Sequence, residues 1–125
     1  MEPNEVSQEI LSAAMAVHSP LGPGLLESAY EECLTYELRK RGVGVATQVE
    51  LPVAYNGVKI DAGYRIDMMV ADKVIVEIKA VDELAPIHQA QILTYLKLSG
   101  IKVGLLLNFN VEHMRDGIKR MVNKF

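Results

Sequence analysis

Apolar residues change period twice along this chain, and those changes divide it into elements. Over residues 4–18, Val6, Ile10, Ala13, Ala14 and Val17 recur every three or four positions, the spacing of an amphipathic helix. Ser19-Pro20-Leu21-Gly22-Pro23-Gly24 then packs two prolines and two glycines into six residues, which predicts a break that re-aims the chain. A second helix is expected over residues 25–41, with Leu26, Ala29, Tyr30, Cys33, Leu34 and Leu38 as its apolar face. Arg39, Lys40 and Arg41 suit its C-terminal end, and Gly42 supplies a stop.

Near Gly44 the period becomes that of strands. Residues 45–55 are rich in β-branched and apolar side chains, and Asn56-Gly57 is a strong hairpin signal. The returning strand is expected over residues 59–70, with Gly63 marking a bulge or a close approach. Ala71-Asp72-Lys73 reads as a three-residue turn into a third strand, residues 74–80. A loop with Asp82, Glu83 and Pro86 leads to a helix over residues 87–99, ended by Gly100. Residues 102–109 are almost continuously apolar, as in a strand buried on both faces. Residues 111–123 read as a closing helix with a polar face. The order α-α-β-β-β-α-β-α predicts an α/β fold with a mixed, mostly four-stranded sheet flanked by helices.

Composition narrows the class. The 125 residues are 50% apolar and 23% charged, enough to bury a core without staples. Cys33 is the single cysteine, so no internal disulfide forms. No linker, repeat or low-complexity tract interrupts the chain. Net charge is −3, which gives no broad basic field for non-specific nucleic-acid binding by a lone chain. The opening MEPNEVSQEI is acidic and polar rather than a secretory signal. No apolar run reaches the ~20 residues of a membrane helix. A cytoplasmic, non-membrane protein is expected.

Charge enters the apolar hairpin at four places. Arg65 and Asp67 share one strand face, as do Glu77 and Lys79. If the turn is Ala71-Asp72-Lys73, Val70 pairs with Val74 and Asp67 falls opposite Glu77. Facing carboxylates repel and need a compensating cation. A bound magnesium ion is one answer. Diagonal Arg65–Glu77 and Asp67–Lys79 pairs are the other, and spacing alone does not choose between them.

Several further residues have plain readings. Glu27 suits the first turn of a helix as an acid complementing its dipole. Tyr30 and Cys33 read as core, and His18 as a C-terminal capping residue. His88 with Gln91 reads as an exposed polar face, and His113 as surface. No zinc spacing, P-loop, dinucleotide fingerprint or nucleophile elbow is present.

Asp67 followed by Glu77-Ile78-Lys79, in a helix–hairpin–helix–strand order, resembles the PD-(D/E)xK nuclease superfamily. Gly24-Leu-Leu-Glu27-Ser-Ala-Tyr30 matches the motif of the GxxExxY protein family. His88-Gln-Ala-Gln91-Ile-Leu-Thr-Tyr95 is similar to that family too, and Gln91 with Tyr95 resembles the QxxxY element of RecB-type nucleases. The superfamily's leading Pro-Asp is Ile66-Asp67 here. The resemblance implies one restriction-endonuclease-like domain over residues 1–125 and a nuclease that uses Mg2+ or Mn2+. It implies that Asp67, Glu77 and the Ile78 carbonyl hold the metal, with Glu27 adding a carboxylate or positioning Lys79. Lys79 would orient water and offset phosphate charge, with Gln91 and Tyr95 facing the site. The implied partner is nucleic acid of unspecified type. The rival expectation is a non-catalytic binding or regulatory domain that keeps the fold. A homodimer is also expected, because pairing doubles the scarce basic surface around Lys59, Arg65, Lys79 and residues 39–41.

Overall fold

Strand-forming residues from five stretches of the chain pair into one sheet. The computed structural model describes residues 1–124. Its elements are α1 (Pro3–Leu21), α2 (Glu27–Lys40), β1 (Val45–Glu50), β2 (Val53–Tyr55), β3 (Val58–Ile60), β4 (Arg65–Val70), β5 (Val74–Lys79), α3 (Pro86–Ser99), β6 (Val103–Asn108), a 3-10 turn (Met114–Gly117) and β7 (Ile118–Val122). β1, β4 and β5 run antiparallel, β5 and β6 are parallel across the α3 crossover, and β7 returns antiparallel to β6. The expected class, a mixed sheet flanked by helices, is what forms, with five strands rather than four.

The helices cover both faces of the sheet. Val6, Ile10, Tyr30, Leu34 and Leu38 of α1 and α2 pack on Met68, Val70, Val76, Ile78 and Leu105. Ile92, Tyr95 and Leu96 of α3 pack on Ile66, Ile75 and Leu106. β6 is buried along its whole length, as its unbroken apolar run requires. Among the described residues, no helix is long and apolar enough to cross a membrane.

Several boundaries differ from the sequence reading, each for a local reason. The expected strand over residues 45–55 is broken by Leu51-Pro52, because Pro52 has no N–H to give a ladder. The strand over residues 59–70 is broken at residues 61–64, where the Gly63 amide donates to Asp61 Oδ1 at 3.0 Å and closes a local turn. The Asn56-Gly57 hairpin forms as expected, but between the short strands β2 and β3. α1 runs through Pro20 to Leu21 although Pro20 has no N–H to bond back to Ala16, and the Gly22 amide closes its last turn on the His18 carbonyl at 2.7 Å. Leu26 is not on the apolar face of α2. It precedes the helix and is 75% exposed.

The C-terminal helix expected over residues 111–123 does not form. Gly117 ends a short 3-10 turn there, and a Cβ at this position would overlap the Asn108 carbonyl oxygen. Beyond it β7 occupies the free edge of β6, where Ile118 and Val122 suit a strand and Lys119 and Arg120 remain exposed. His18 does not cap its own helix. Its buried Nε2 donates to the Val111 carbonyl at 2.8 Å and ties α1 to the segment after β6. Cys33 is half-buried against the core, and His113 is exposed.

Candidate active site

Asp67 and Glu77 lie on neighbouring antiparallel strands, and the pairing Val70↔Val74 and Met68↔Val76 is the register read from the turn. The ladder ends at that point. The Asp67 amide donates instead to Glu77 Oε2 at 2.7 Å, and the Ile78 amide donates to Asp67 Oδ2 at 2.8 Å. Each carboxylate is thus clasped by the backbone of the strand opposite. The strand also changes face here. Met68 and Val70 pack toward α1 and α2, whereas Ile66 packs toward α3.

Burial makes this pair electrostatically expensive. Glu77 is only 4% exposed. Burial first, and then the neighbouring Asp67 charge, push its carboxyl up to about 8. Burial also raises Asp67, against the opposing pull of the Ile78 amide, Gln48 and Lys79. A cation is the complement that such a pair lacks. Diagonal salt bridges do not supply it: Arg65 turns to Glu50 at 3.4 Å, and among the described residues Lys79 makes no ion pair within 4.0 Å. The Lys79 charge nevertheless acts on both acids.

The second helix brings further acids. Glu27 opens α2, and its Oε2 accepts from the Ala80 amide at 3.2 Å, one residue beyond Lys79. Its position is fixed by the loop before it. Tyr30 is fully buried, stacks on Phe109 at 4.6 Å, and donates from its hydroxyl to the Gly22 carbonyl at 2.6 Å. The same hydroxyl accepts from the Leu25 amide at 3.1 Å. Between them Gly24 adopts φ +105°, a conformation open chiefly to glycine. Gly24, Glu27 and Tyr30 therefore act as one device that aims the start of α2 at the sheet. Tyr30 is core, as expected, with this polar task added. Tyr30→Phe should cost about 1–3 kcal/mol by stranding the two loop groups. Thermal denaturation checks this, and an unchanged melting temperature would contradict it.

Two residues of the site were not singled out in the sequence. Glu31, one turn after Glu27, accepts from Gln48 Nε2 at 2.8 Å, and the same amide reaches Asp67 Oδ1 at 3.4 Å. Burial and the Asp67 charge raise the Glu31 carboxyl. Gln48 falls opposite Asp67 in the β1–β4 register but is missing from the pairing, with φ +51°. That left-handed backbone costs an L-residue roughly 1–2 kcal/mol. Gln48→Gly should therefore melt a few degrees above Gln48→Ala, and equal melting would show that the backbone strain is absent. Glu27, Glu31, Gln48, Asp67 and Ile78 line a pocket of about 260 Å³.

Gln91 and Tyr95 lie on α3, with Gln91 Nε2 donating to the Tyr95 hydroxyl at 3.0 Å. They line a neighbouring cavity rather than the acidic pocket. Burial, then the charges of Glu77 and Asp67, raise the Tyr95 hydroxyl. His88 is not simply an exposed polar residue: its Nδ1 accepts from the Ala85 amide at 3.1 Å at the start of α3. Asn108, also unforeseen, pairs with Lys79 in the sheet and clamps Val81 through both amide atoms, at 3.1 and 2.9 Å. Lys79 is thus followed by backbone held at Ala80 and at Val81.

Among the described residues, no group of three or more His, Cys, Asp or Glu side chains is arranged to hold a metal ion. Two carboxylates, a backbone carbonyl and water are sufficient for magnesium, which keeps several waters and seldom takes an all-protein cage. The hard oxygen donors of Asp67 and Glu77 fit that requirement. Neither a curated protein nor a solved structure matches the chain. The family model described as the PD-(D/E)XK nuclease superfamily matches residues 4–121.

Proposed function

The chain belongs to the PD-(D/E)XK nuclease superfamily, and from that premise we propose that it is a metal-dependent nuclease hydrolysing phosphodiester bonds in nucleic acid. Nucleases of this superfamily generally use divalent metals, and its five-stranded mixed sheet flanked by three helices is consistent with a restriction-endonuclease-like fold. The observation that carries the reading is the reciprocal clasp of Asp67 and Glu77 beside an ammonium, Lys79, that no salt bridge consumes among the described residues.

Asp67, Glu77 and the Ile78 carbonyl would hold Mg2+ or Mn2+. A divalent ion, when bound, lowers the pKa of a water and offsets charge on the phosphate. Hydrolysis joins the water oxygen to phosphorus and releases one ester oxygen as a hydroxyl. Lys79 would position that water and stabilise the charge that builds on the phosphate. Glu27 braces the backbone just beyond Lys79 through Ala80, and Gln48 sets the orientation of Asp67 and Glu31. Gln91 and Tyr95 line the neighbouring cavity on α3, with the Tyr95 hydroxyl within reach of the Glu77 and Asp67 charges. The Gly24, Glu27 and Tyr30 device supports the finer assignment to the GxxExxY family, with residues 1–125 as one nuclease-like domain.

The net charge of −3 favours a second reading, a non-catalytic binding or regulatory domain with the same fold. A panel of DNA and RNA substrates, single-stranded, duplex and branched, incubated with Mg2+ and Mn2+, tests the two. Cleavage of any member supports the enzyme. Binding without cleavage, equal in wild type and Lys79→Ala, supports the binding domain. We further propose a cytoplasmic homodimer. A light-scattering mass of twice 13.8 kDa is the expected result, and a monomer mass at all working concentrations would overturn it.

A further inference from the structure

We propose that the cavity beside Gln91 and Tyr95 binds an unpaired nucleobase, so that the enzyme acts on single-stranded or locally opened nucleic acid. The proposal rests on the nuclease reading of the adjacent acids. The cavity measures about 660 Å³ and is lined by Val53, Tyr64, Ile87, Gln91, Tyr95 and Leu98 among others, a size in the usual ~300–1,000 Å³ range of small-molecule sites.

Three features identify the occupant. First, among the described residues no Lys, Arg, Asp or Glu lines the cavity, so it suits the flat, uncharged part of a nucleotide and leaves the phosphate to Lys79 and the metal. Second, its walls offer apolar and aromatic surface to solvent. Ile87 is 69% exposed and Tyr64 45%, with the Tyr64 ring edge-to-face against Tyr95 at 6.2 Å. Such surface stacks a base readily, and aromatic stacking tolerates any base identity. Third, Gln91 uses its Nε2 on Tyr95, and its Oε1 accepts no hydrogen bond among the described residues. That oxygen is free to accept from the edge of a base. Tyr95 joins the two regions, since it lines the cavity while its hydroxyl lies within range of the Glu77 and Asp67 charges. A duplex keeps its bases stacked and paired, so only an unpaired nucleotide can enter.

The test measures binding and cleavage separately. Binding uses the Lys79→Ala protein with Mg2+, a labelled single-stranded oligonucleotide, and an end-closed duplex of the same sequence. Adding Tyr64→Ala should weaken single-strand binding about tenfold and leave duplex binding unchanged, while Tyr64→Trp should restore it. On the cleaving background, Tyr64→Ala should slow single-strand cleavage by a similar factor. Equal single-strand affinity with and without Tyr64→Ala overturns the base site. So does a change in oligomer mass on Tyr64→Ala, which would make a second copy of the chain the occupant. Loss of single-strand binding on Tyr64→Ala, with no cleavage by the parent protein of any substrate, leaves the base site standing and removes the nuclease reading.

Discussion

Lys79→Ala should lose cleavage by about 10²–10³-fold, the usual cost of removing one preorganised donor to transition-state charge. Binding of substrate should fall only a few-fold, because one phosphate contact is a small part of the total. The fold should survive, since Lys79 is partly exposed at the end of β5 and makes no ion pair within 4.0 Å among the described residues. Lys79→Arg should also be poor, because a broad guanidinium does not replace a compact ammonium at a water-positioning site. Single-turnover kinetics beside an equilibrium binding assay separates these effects. Equal cleavage by wild type and Lys79→Ala would remove Lys79 from the chemistry.

Glu77→Gln should abolish cleavage yet stabilise the metal-free protein at alkaline pH. The Glu77 carboxyl sits at about 8 in the folded chain against an ordinary 4.5. Between those values the unfolded chain has released a proton that the folded chain retains. Stability therefore falls as pH rises from about 4.5 to about 8, and stays low above it. The full penalty is on the order of 5 kcal/mol. Gln cannot ionise, and its carbonyl oxygen still accepts from the Asp67 amide, so the variant should lose this slope. Without metal, Glu77→Gln should melt above wild type at pH 8.5 and lose that advantage near pH 4.5. Manganese should raise the wild-type melting temperature and leave the variant unmoved. Denaturation profiles that keep the same pH slope in both proteins would contradict this account.

Local signals in the sequence are enough to bring Asp67 and Glu77 together. The turn at residues 71–73 sets the register between β4 and β5 over a few residues, so Asp67 and Glu77 could be matched by arithmetic. The α3 boundaries follow equally well from Pro86 and Gly100. Long-range pairing was less legible. Gln48 meets Asp67 only because β1 pairs with β4 across an intervening hairpin, and no periodicity in either stretch announces that. Glu31 had a usable signal, lying four residues after Glu27 on the same helix face. Met114, Ile118 and Met121 keep helical spacing, so periodicity alone does not announce the closing strand. A vacant edge on β6 and the close approach at Gly117 decided that segment instead. The change of face at Asp67 depends on side-chain hydrogen bonds replacing ladder bonds, which a strand pattern does not encode.

The most direct measurement is strand cleavage followed against Mn2+ concentration, for wild type and Asp67→Asn side by side, on a substrate found by the panel. The rate should saturate with Mn2+ in parallel with the thermal stabilisation the ion confers, stop in EDTA, and be absent in Asp67→Asn at every concentration. Cleavage that persists in EDTA, or that Asp67→Asn performs as well as wild type, would contradict a metal-dependent site built on Asp67 and Glu77.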